Sequence, residues 1–256
     1  MPIQPERRIT VCAKRFFAAW QFISTEETRY YLNGVFIEPH PDGGVTMTAT
    51  DGHTLASIRD RNARFDGKEG WICRVPKQPF NTLLKHGKSG HLHFVGNSVY
   101  LTDRLLADCD VLDPEYDPAH ISPRHMAVAF CEPIDGTFPA WRLVVPRKGR
   151  ARADNFALNG RLIARFSTAI KCISPTNSPT LHIFTPNDDA HPVVIRCGTV
   201  PDFFGIQMPM RDDTATRMPD WLKLPRKKSA RKPKAANDTV EDIKRDIDKT
   251  RNTDAA

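Results

Sequence analysis

Hydrophobic and polar residues near the start of the chain follow an order that predicts one strand, one helix and three further strands. The helical pattern continues to about residue 24 and places Phe16, Trp20 and Ile23 on one face. Around Met47, apolar residues alternate with threonine, which is typical of a half-buried strand. The predicted strands of this unit cover residues 9–12, 29–38, 45–50 and 53–59.

The same order of elements is predicted twice more. In the second copy, an extended segment at 71–75 precedes a short helix over 77–86. In the third copy, an extended segment at 156–158 precedes a helix that runs to about residue 171, with Asn159 as its N-cap. The other strands of these two copies are predicted at residues 92–95, 98–102, 105–111, 181–185, 193–197 and 204–210.

Three copies of a strand–helix–strand–strand–strand unit imply an α+β fold. Each copy is too small to bury its own sheet and helix, so we expect neighbouring copies to pack together. The helices should then lie on one face of antiparallel sheets. We expect one folded region of two units at residues 1–138, a second region of one unit at 139–211, and a tail at 212–256.

The positive charge of the chain is concentrated in this tail. From Lys223 onward there are eleven Lys and Arg against six Asp and Glu, a net +5 of the chain's total of +7. Proline interrupts the segment and apolar residues are few, so it cannot bury enough surface to fold alone. The sequence predicts a solvated tail, and it leaves open whether the tail contacts polyanions or tethers a partner.

Composition and cysteine spacing indicate a cytoplasmic protein. The chain has 256 residues, of which 40% are hydrophobic, and no apolar run approaches the roughly 20 residues of a membrane span. Its first residues lack the apolar stretch of a signal peptide. The six cysteines are scattered, without the close spacing of a disulfide framework or a zinc site.

Catalytic and metal-binding motifs are weak. His91 and His93 share one strand face, and together with His53 they permit the hypothesis of a metal-dependent nuclease or hydrolase. However, no carboxylate or third ligand stands near the pair, and the chain has no P-loop and no GxGxxG motif. We therefore expect neither an enzyme nor a cofactor or metal.

Three segments together resemble the bacterial DNA polymerase III beta subunit, the sliding clamp. Residues 28–34 read TRYYLNG and residues 49–56 read ATDGHTLA, where the family has RYYLNG and ATDGHRLA. Residues 136–146 read GTFPAWRLVVP, which is similar to the family's domain junction, FPDYRRVLP. Residues 208–211 read MPMR, as in the family's C-terminal MPMRL. The order of the segments makes the resemblance specific.

The resemblance covers roughly residues 7–211 and implies a clamp that lacks large parts. Family members have three domains of two units each. Here we expect the first domain to be absent, and the interval 146–159 has no room for the first unit of the third domain. The chain also departs from the family at Thr54 and Leu143, where Arg is usual, and at Asp212, where Leu is expected.

In the family, a surface groove between the middle and last domains accepts a short apolar peptide from polymerases and repair proteins. Leu and Met side chains form a deformable apolar floor that suits varied partners. The resemblance assigns the groove to Leu32, Thr50, Gly52, His53, Thr54, Leu55, Pro139, Val144, Ile206, Met208, Pro209 and Met210.

The resemblance also implies nonspecific contact with double-stranded DNA. In a clamp, the helices line the central hole and meet the phosphate backbone without reading bases, which requires diffuse, solvated charge. The candidate cations lie on or beside the predicted helices and are Lys14, Arg15, Lys77, Lys85, Arg161 and Arg165.

Two functions follow as hypotheses. The first is a processivity factor that self-assembles, binds DNA and docks DNA polymerase and other clamp-binding proteins. The second is an adaptor or competitor that keeps the peptide groove but forms no ring.

Overall fold

The computed structural model describes residues 8–77, 81, 90–102, 125–146, 156–184 and 191–212. The chain divides into two compact units, Met1–Asp212 and Asp213–Ala256, and all described residues lie in the first. The predicted helix over 77–86, the predicted strand over 105–111 and the predicted tail lie almost wholly outside the described residues.

Antiparallel strands form two sheets. In chain order the strands are β1 (Arg8–Cys12), β2 (Val35–Pro39), β3 (Val45–Thr50), β4 (Thr54–Asp60), β5 (Arg64–Phe65), β6 (Trp71–Arg74), β7 (His91–Val95), β8 (Ser98–Thr102), β9 (His125–Phe130), β10 (Glu132–Pro133), β11 (Leu181–Phe184), β12 (Val193–Cys197) and β13 (Val200–Gln207). One sheet has five strands in the order β5-β1-β7-β8-β9. The other has eight, in the order β10-β6-β2-β3-β4-β13-β12-β11.

The three predicted units exchange strands. β1 of the first unit pairs with β7 of the second, and β6 of the second pairs with β2 of the first. β13 of the third unit pairs with β4 of the first, with Ile206 opposite Leu55. No unit therefore completes a sheet alone, and the expected α+β fold of mutually packed units is confirmed.

Two α-helices lie among the described residues, α1 (Ala13–Trp20) and α2 (Gly160–Ile173), and they pack on each other and on the eight-stranded sheet. Asn159 caps α2, because its side chain accepts a hydrogen bond from the Arg161 N–H at 3.0 Å. Beneath α2, the Phe166 ring lies so close to Gly205 that an added Cβ would stand 2.5 Å from it. The core between helices and sheet includes the Phe22–Phe166 ring pair, with centroids 4.8 Å apart.

The segment before β2 departs from the prediction. A strand was expected over 29–38, but Tyr30–Leu32 form a 3-10 helix and the strand begins at Val35. Local hydrogen bonds from Leu32 N–H to the Arg29 carbonyl and from Asn33 N–H to the Tyr30 carbonyl, both 2.9 Å, close this turn. The turn places the Leu32 side chain, which is 3% exposed, in a small apolar cluster with Ile72 and Phe138.

The last strand is also shifted. It begins at Val200 and ends at Gln207, whereas the pattern predicted 204–210. Pro209 has no N–H to donate and stops the ladder. No helix of the described residues has the length and apolar character needed to cross a membrane.

Candidate peptide-binding groove

The turn between β3 and β4 is built around Asp51. Its Oδ1 accepts hydrogen bonds from the backbone N–H groups of His53 at 2.9 Å and Thr54 at 2.7 Å. Thr50 Oγ1 accepts from the Gly52 N–H at 3.1 Å and donates to the Thr54 carbonyl at 2.7 Å. Gly52 has φ +88°, a conformation that favours glycine. These bonds fix the backbone of the whole turn.

Arg165 of α2 holds this turn from the helix side. Its guanidinium forms an ion pair with Asp51 and donates to the Gln21 carbonyl at 2.6 and 2.9 Å. Burial alone would raise the pKa of Asp51, but hydrogen bonds from Thr54, His53 and Arg165 outweigh it and leave that pKa below its usual value. The pair therefore stays ionised at neutral pH and ties α2 to the turn.

An apolar cavity of about 250 Å³ lies beside this turn, where β4 meets β13. Its floor comes from Leu55 and Ile206, which are opposite each other in the ladder and only 4% and 3% exposed. Met208 continues past the end of β13, and its N–H donates to the His53 carbonyl at 2.9 Å. The side chain of Met208 is 38% exposed and forms part of the cavity wall.

The other wall comes from the 3-10 helix Trp141–Val144. Glu38 of β2 anchors it, since its carboxylate accepts from the Trp141 indole N–H at 3.3 Å and pairs with Arg142 at 2.9 Å. Trp141 also packs on the cluster that contains Leu32. Val144 remains 49% exposed, so the cavity presents an apolar surface to solvent.

Ten of the twelve residues predicted for the groove line this one cavity. They are Leu32, Thr50, Gly52, His53, Thr54, Leu55, Pro139, Val144, Ile206 and Met208. Pro209 and Met210 lie beyond the lining, and the Met210 N–H donates to the Ala157 carbonyl at 2.8 Å.

The prediction omitted four residues that also line the cavity, namely Arg29, Tyr31, Ala140 and Trp141. They belong to the same segments, 28–34 and 136–146, that carry the family resemblance. The signal for them was therefore present in the quoted motifs.

The predicted DNA contacts divide into two groups. Arg165 is paired as described, and Arg15 donates to the Arg59 carbonyl and lies 3.4 Å from Asp202. Both guanidinium groups therefore have structural partners. Lys77 and Arg161 are exposed and Lys14 is half-buried, whereas Lys85 lies outside the described residues.

The described residues give the histidine hypothesis no support. His93 is buried in the five-stranded sheet, and its ring nitrogens lie 3.0 Å from the Thr10 hydroxyl and 2.9 Å from the Thr102 hydroxyl. Both ring nitrogens are thus occupied, while His53 lies in the groove. Across the part of the chain that the structure describes, no group of three or more His, Cys, Asp or Glu could hold a metal ion.

Comparison with known proteins finds curated relatives that match part of the chain. No protein-family model matches the chain. Two beta sliding clamps of Caulobacter vibrioides, from strains NA1000 / CB15N and ATCC 19089 / CIP 103742 / CB 15, are each 29% identical to it over 168 residues. The match covers 63% of this chain but only 38% of the length of these relatives.

Solved structures agree on the fold. The sliding clamp of Bartonella birtlesii bound to griselimycin superposes with a TM-score of 0.52 at 19% identity, covering 83% of this chain and 68% of that one. The beta subunit of the Streptococcus pyogenes DNA polymerase superposes with a TM-score of 0.53 at 11% identity, again covering 83% of this chain and 68% of that one. The fold is therefore that of the sliding clamps.

The chain is thus similar to part of the beta sliding clamp, as the three sequence segments indicated.

Proposed function

We propose that this protein is a clamp-like docking factor that binds replication or repair proteins, DNA polymerase among them, through the groove beside β4 and β13. The groove observation carries the proposal, because three separate parts of the chain converge there on one apolar cavity. We further propose that the protein acts in the cytoplasm, without catalysis and without a cofactor.

The groove suits a short apolar peptide. Val144 and Met208 offer exposed apolar surface above a floor that is already packed. Each apolar anchor that a peptide buries completely contributes about 1.5–3 kcal/mol. A few such anchors suffice for micromolar binding after the ordering costs are subtracted.

Titration of a fluorescent peptide from a polymerase's clamp-binding segment tests this proposal. We expect Val144→Ala with Met208→Ala to weaken binding about 30-fold, because each truncation removes roughly 1 kcal/mol of apolar contact. Both residues are partly exposed, so folding should be retained. The matched control is Val128→Ala with Ile183→Ala, which truncates exposed apolar residues on β9 and β11.

Equal binding by the groove variant and the control variant would remove the groove assignment. Griselimycin, which the Bartonella birtlesii clamp binds, supplies a second probe. We expect this protein to bind it as well.

Nonspecific binding to double-stranded DNA is the second part of the proposal. The exposed or half-buried Lys14, Lys77 and Arg161 are the candidates that have no structural role described above. Three units per chain are fewer than a clamp ring needs, so encircling DNA would require several copies of the chain. Light scattering with and without duplex DNA tests this, and a monomer under both conditions would contradict a self-assembled ring.

The adaptor without a ring remains the second candidate. The ion pairs of Arg15 with Asp202 and of Arg165 with Asp51 favour the adaptor, because they reduce the positive charge available to bind phosphate. A monomer that binds the peptide with micromolar affinity but not DNA would establish the adaptor over the processivity factor.

A further inference from the structure

The eight-stranded sheet carries a second cavity on the face opposite the helices. Along β4, Ala56 and Ile58 point into the core under the helices, so by alternation Leu55, Ser57 and Arg59 point to the other face. Leu55 forms the floor of the peptide groove. Arg59, four residues further along the same strand, lines a separate cavity of about 290 Å³.

Three arginines line this second cavity, which we name the arginine pocket: Arg59, Arg61 and Arg196. Of the residues that the structure describes, Asp202 is the only carboxylate that lines it, and this group already pairs with Arg61 at 3.0 Å and Arg15 at 3.4 Å. The pocket therefore keeps a surplus of positive charge.

Two of the arginines, Arg59 and Arg196, have guanidinium groups whose capacity for hydrogen bonds and ion pairs is only partly used. Among the described residues, the guanidinium of Arg59 makes only long contacts: 3.4 Å to the Gly43 carbonyl, 3.5 Å to the Asp42 carbonyl and 3.7 Å to the Asp42 carboxylate. Its Nε is buried without a hydrogen-bond partner. Arg196 is exposed, and no carboxylate of the described residues pairs with it. Guanidinium groups in this state are suited to bind a carboxylate through charge-assisted hydrogen bonds.

We propose that the arginine pocket binds acidic side chains of the same partner segment whose apolar residues occupy the groove. This inference rests on the proposed peptide-binding function. Four residues along β4 correspond to about 13 Å. An extended peptide covers that distance in about four of its own residues, so apolar anchors and an acidic cluster one short segment apart would reach both cavities.

The position of the pocket favours an acidic peptide over nucleic acid. The candidate DNA contacts Lys14 and Arg161 lie on α1 and α2, which cover the other face of the sheet. A peptide in the groove lies on the same face of the sheet as Arg59, whereas Lys14 and Arg161 lie on the helix side.

The test uses the clamp-binding peptide extended by four residues at its N-terminal or its C-terminal end. Each extension is made once from four Glu residues and once from Gly and Ser residues. We expect the Glu extension at one end to bind about five- to tenfold more tightly than its Gly-Ser counterpart. The gain should fall below twofold in Arg196→Gln and in Arg59→Gln. It should also shrink between 50 and 200 mM salt, as expected for partly exposed charges.

Lys171→Gln is the control, since it removes one positive charge from an exposed position on α2 and should leave the gain intact. Melting curves of all variants verify folding. If the Glu and Gly-Ser extensions bind with equal affinity at each end while the unextended peptide still binds, this inference is overturned and the groove proposal stands. An undiminished gain in the two pocket variants would also overturn it. Failure of every peptide to bind would remove both.

Discussion

The groove and the helix face of this protein use charge in different ways. At the groove, apolar side chains are exposed to solvent, and the ion pair between Asp51 and Arg165 stabilises the adjacent turn between β3 and β4. On the helix face, Arg161 is exposed one turn before Arg165 on the same helix. Two arginines four residues apart therefore have different roles, and the difference lies in the partners that the fold provides.

The largest effect expected from this comparison is on stability. Arg165→Gln leaves the mostly buried Asp51 carboxylate without its ion pair, which should lower the free energy of unfolding by about 3 kcal/mol. Arg161→Gln should change it by less than about 0.5 kcal/mol, as is usual for exposed positions. Urea denaturation of the two variants measures the difference, and similar values would show that the ion pair does not support the turn.

A change in the turn itself should have a smaller effect. Gly52→Ala forces a side chain into a left-handed conformation and against the Arg29 guanidinium. We expect a loss of about 1–2 kcal/mol in the free energy of unfolding, together with weaker peptide binding. Gly43→Ala is the control, because Gly43 also has positive φ but no atom lies within 4 Å of an added Cβ. An equal loss in both variants would show that backbone conformation alone accounts for the effect.

Low pH should selectively remove the stabilising contribution of Asp51 to the turn between β3 and β4. The pKa of Asp51 is lower in the folded protein, so its contribution to stability is complete above the ordinary carboxyl pKa of 3.8 and is lost as pH falls through the lower, folded-state value. Melting temperatures of the wild type and of Asp51→Asn should therefore converge below about pH 4. A constant difference between them down to pH 2 would contradict this expectation.

The smallest effect is expected on DNA binding. Arg161→Gln should reduce the slope of log K against log salt by about 0.9, the value of one phosphate contact, with little change in stability. Fluorescence anisotropy of a labelled duplex measures this slope. An unchanged slope would place Arg161 outside the DNA contact.

Local signals in the sequence predicted much of the fold. The cap at Asn159 needs only neighbouring residues, and β12 occupies the predicted Val193–Cys197, a short segment in which four of five residues are apolar. The turn at Tyr30–Leu32 was missed, because its aromatic residues favour a strand and the cluster that buries Leu32 comes from distant segments.

The candidate site shows the same limit. Ten residues that line the cavity could be predicted because the three segments are recognisable as sequence. The pairing of Arg15 with Asp202 could not, because the two residues are far apart in the chain and no periodicity connects them. The arginine pocket escaped prediction for the same reason, since Arg59 and Arg61, in and just after β4, meet Arg196 of β12 from a separate unit.

The ladder between β4 and β13 also has a consequence for synthesis. β4 leaves the ribosome early, but its partner Val200–Gln207 follows only after most of the remaining domain has been made. Until then, the nascent chain has an uncovered strand edge and only half of the groove. The cavity at the β4–β13 ladder therefore forms only after β13 has been made, and shorter nascent chains lack it.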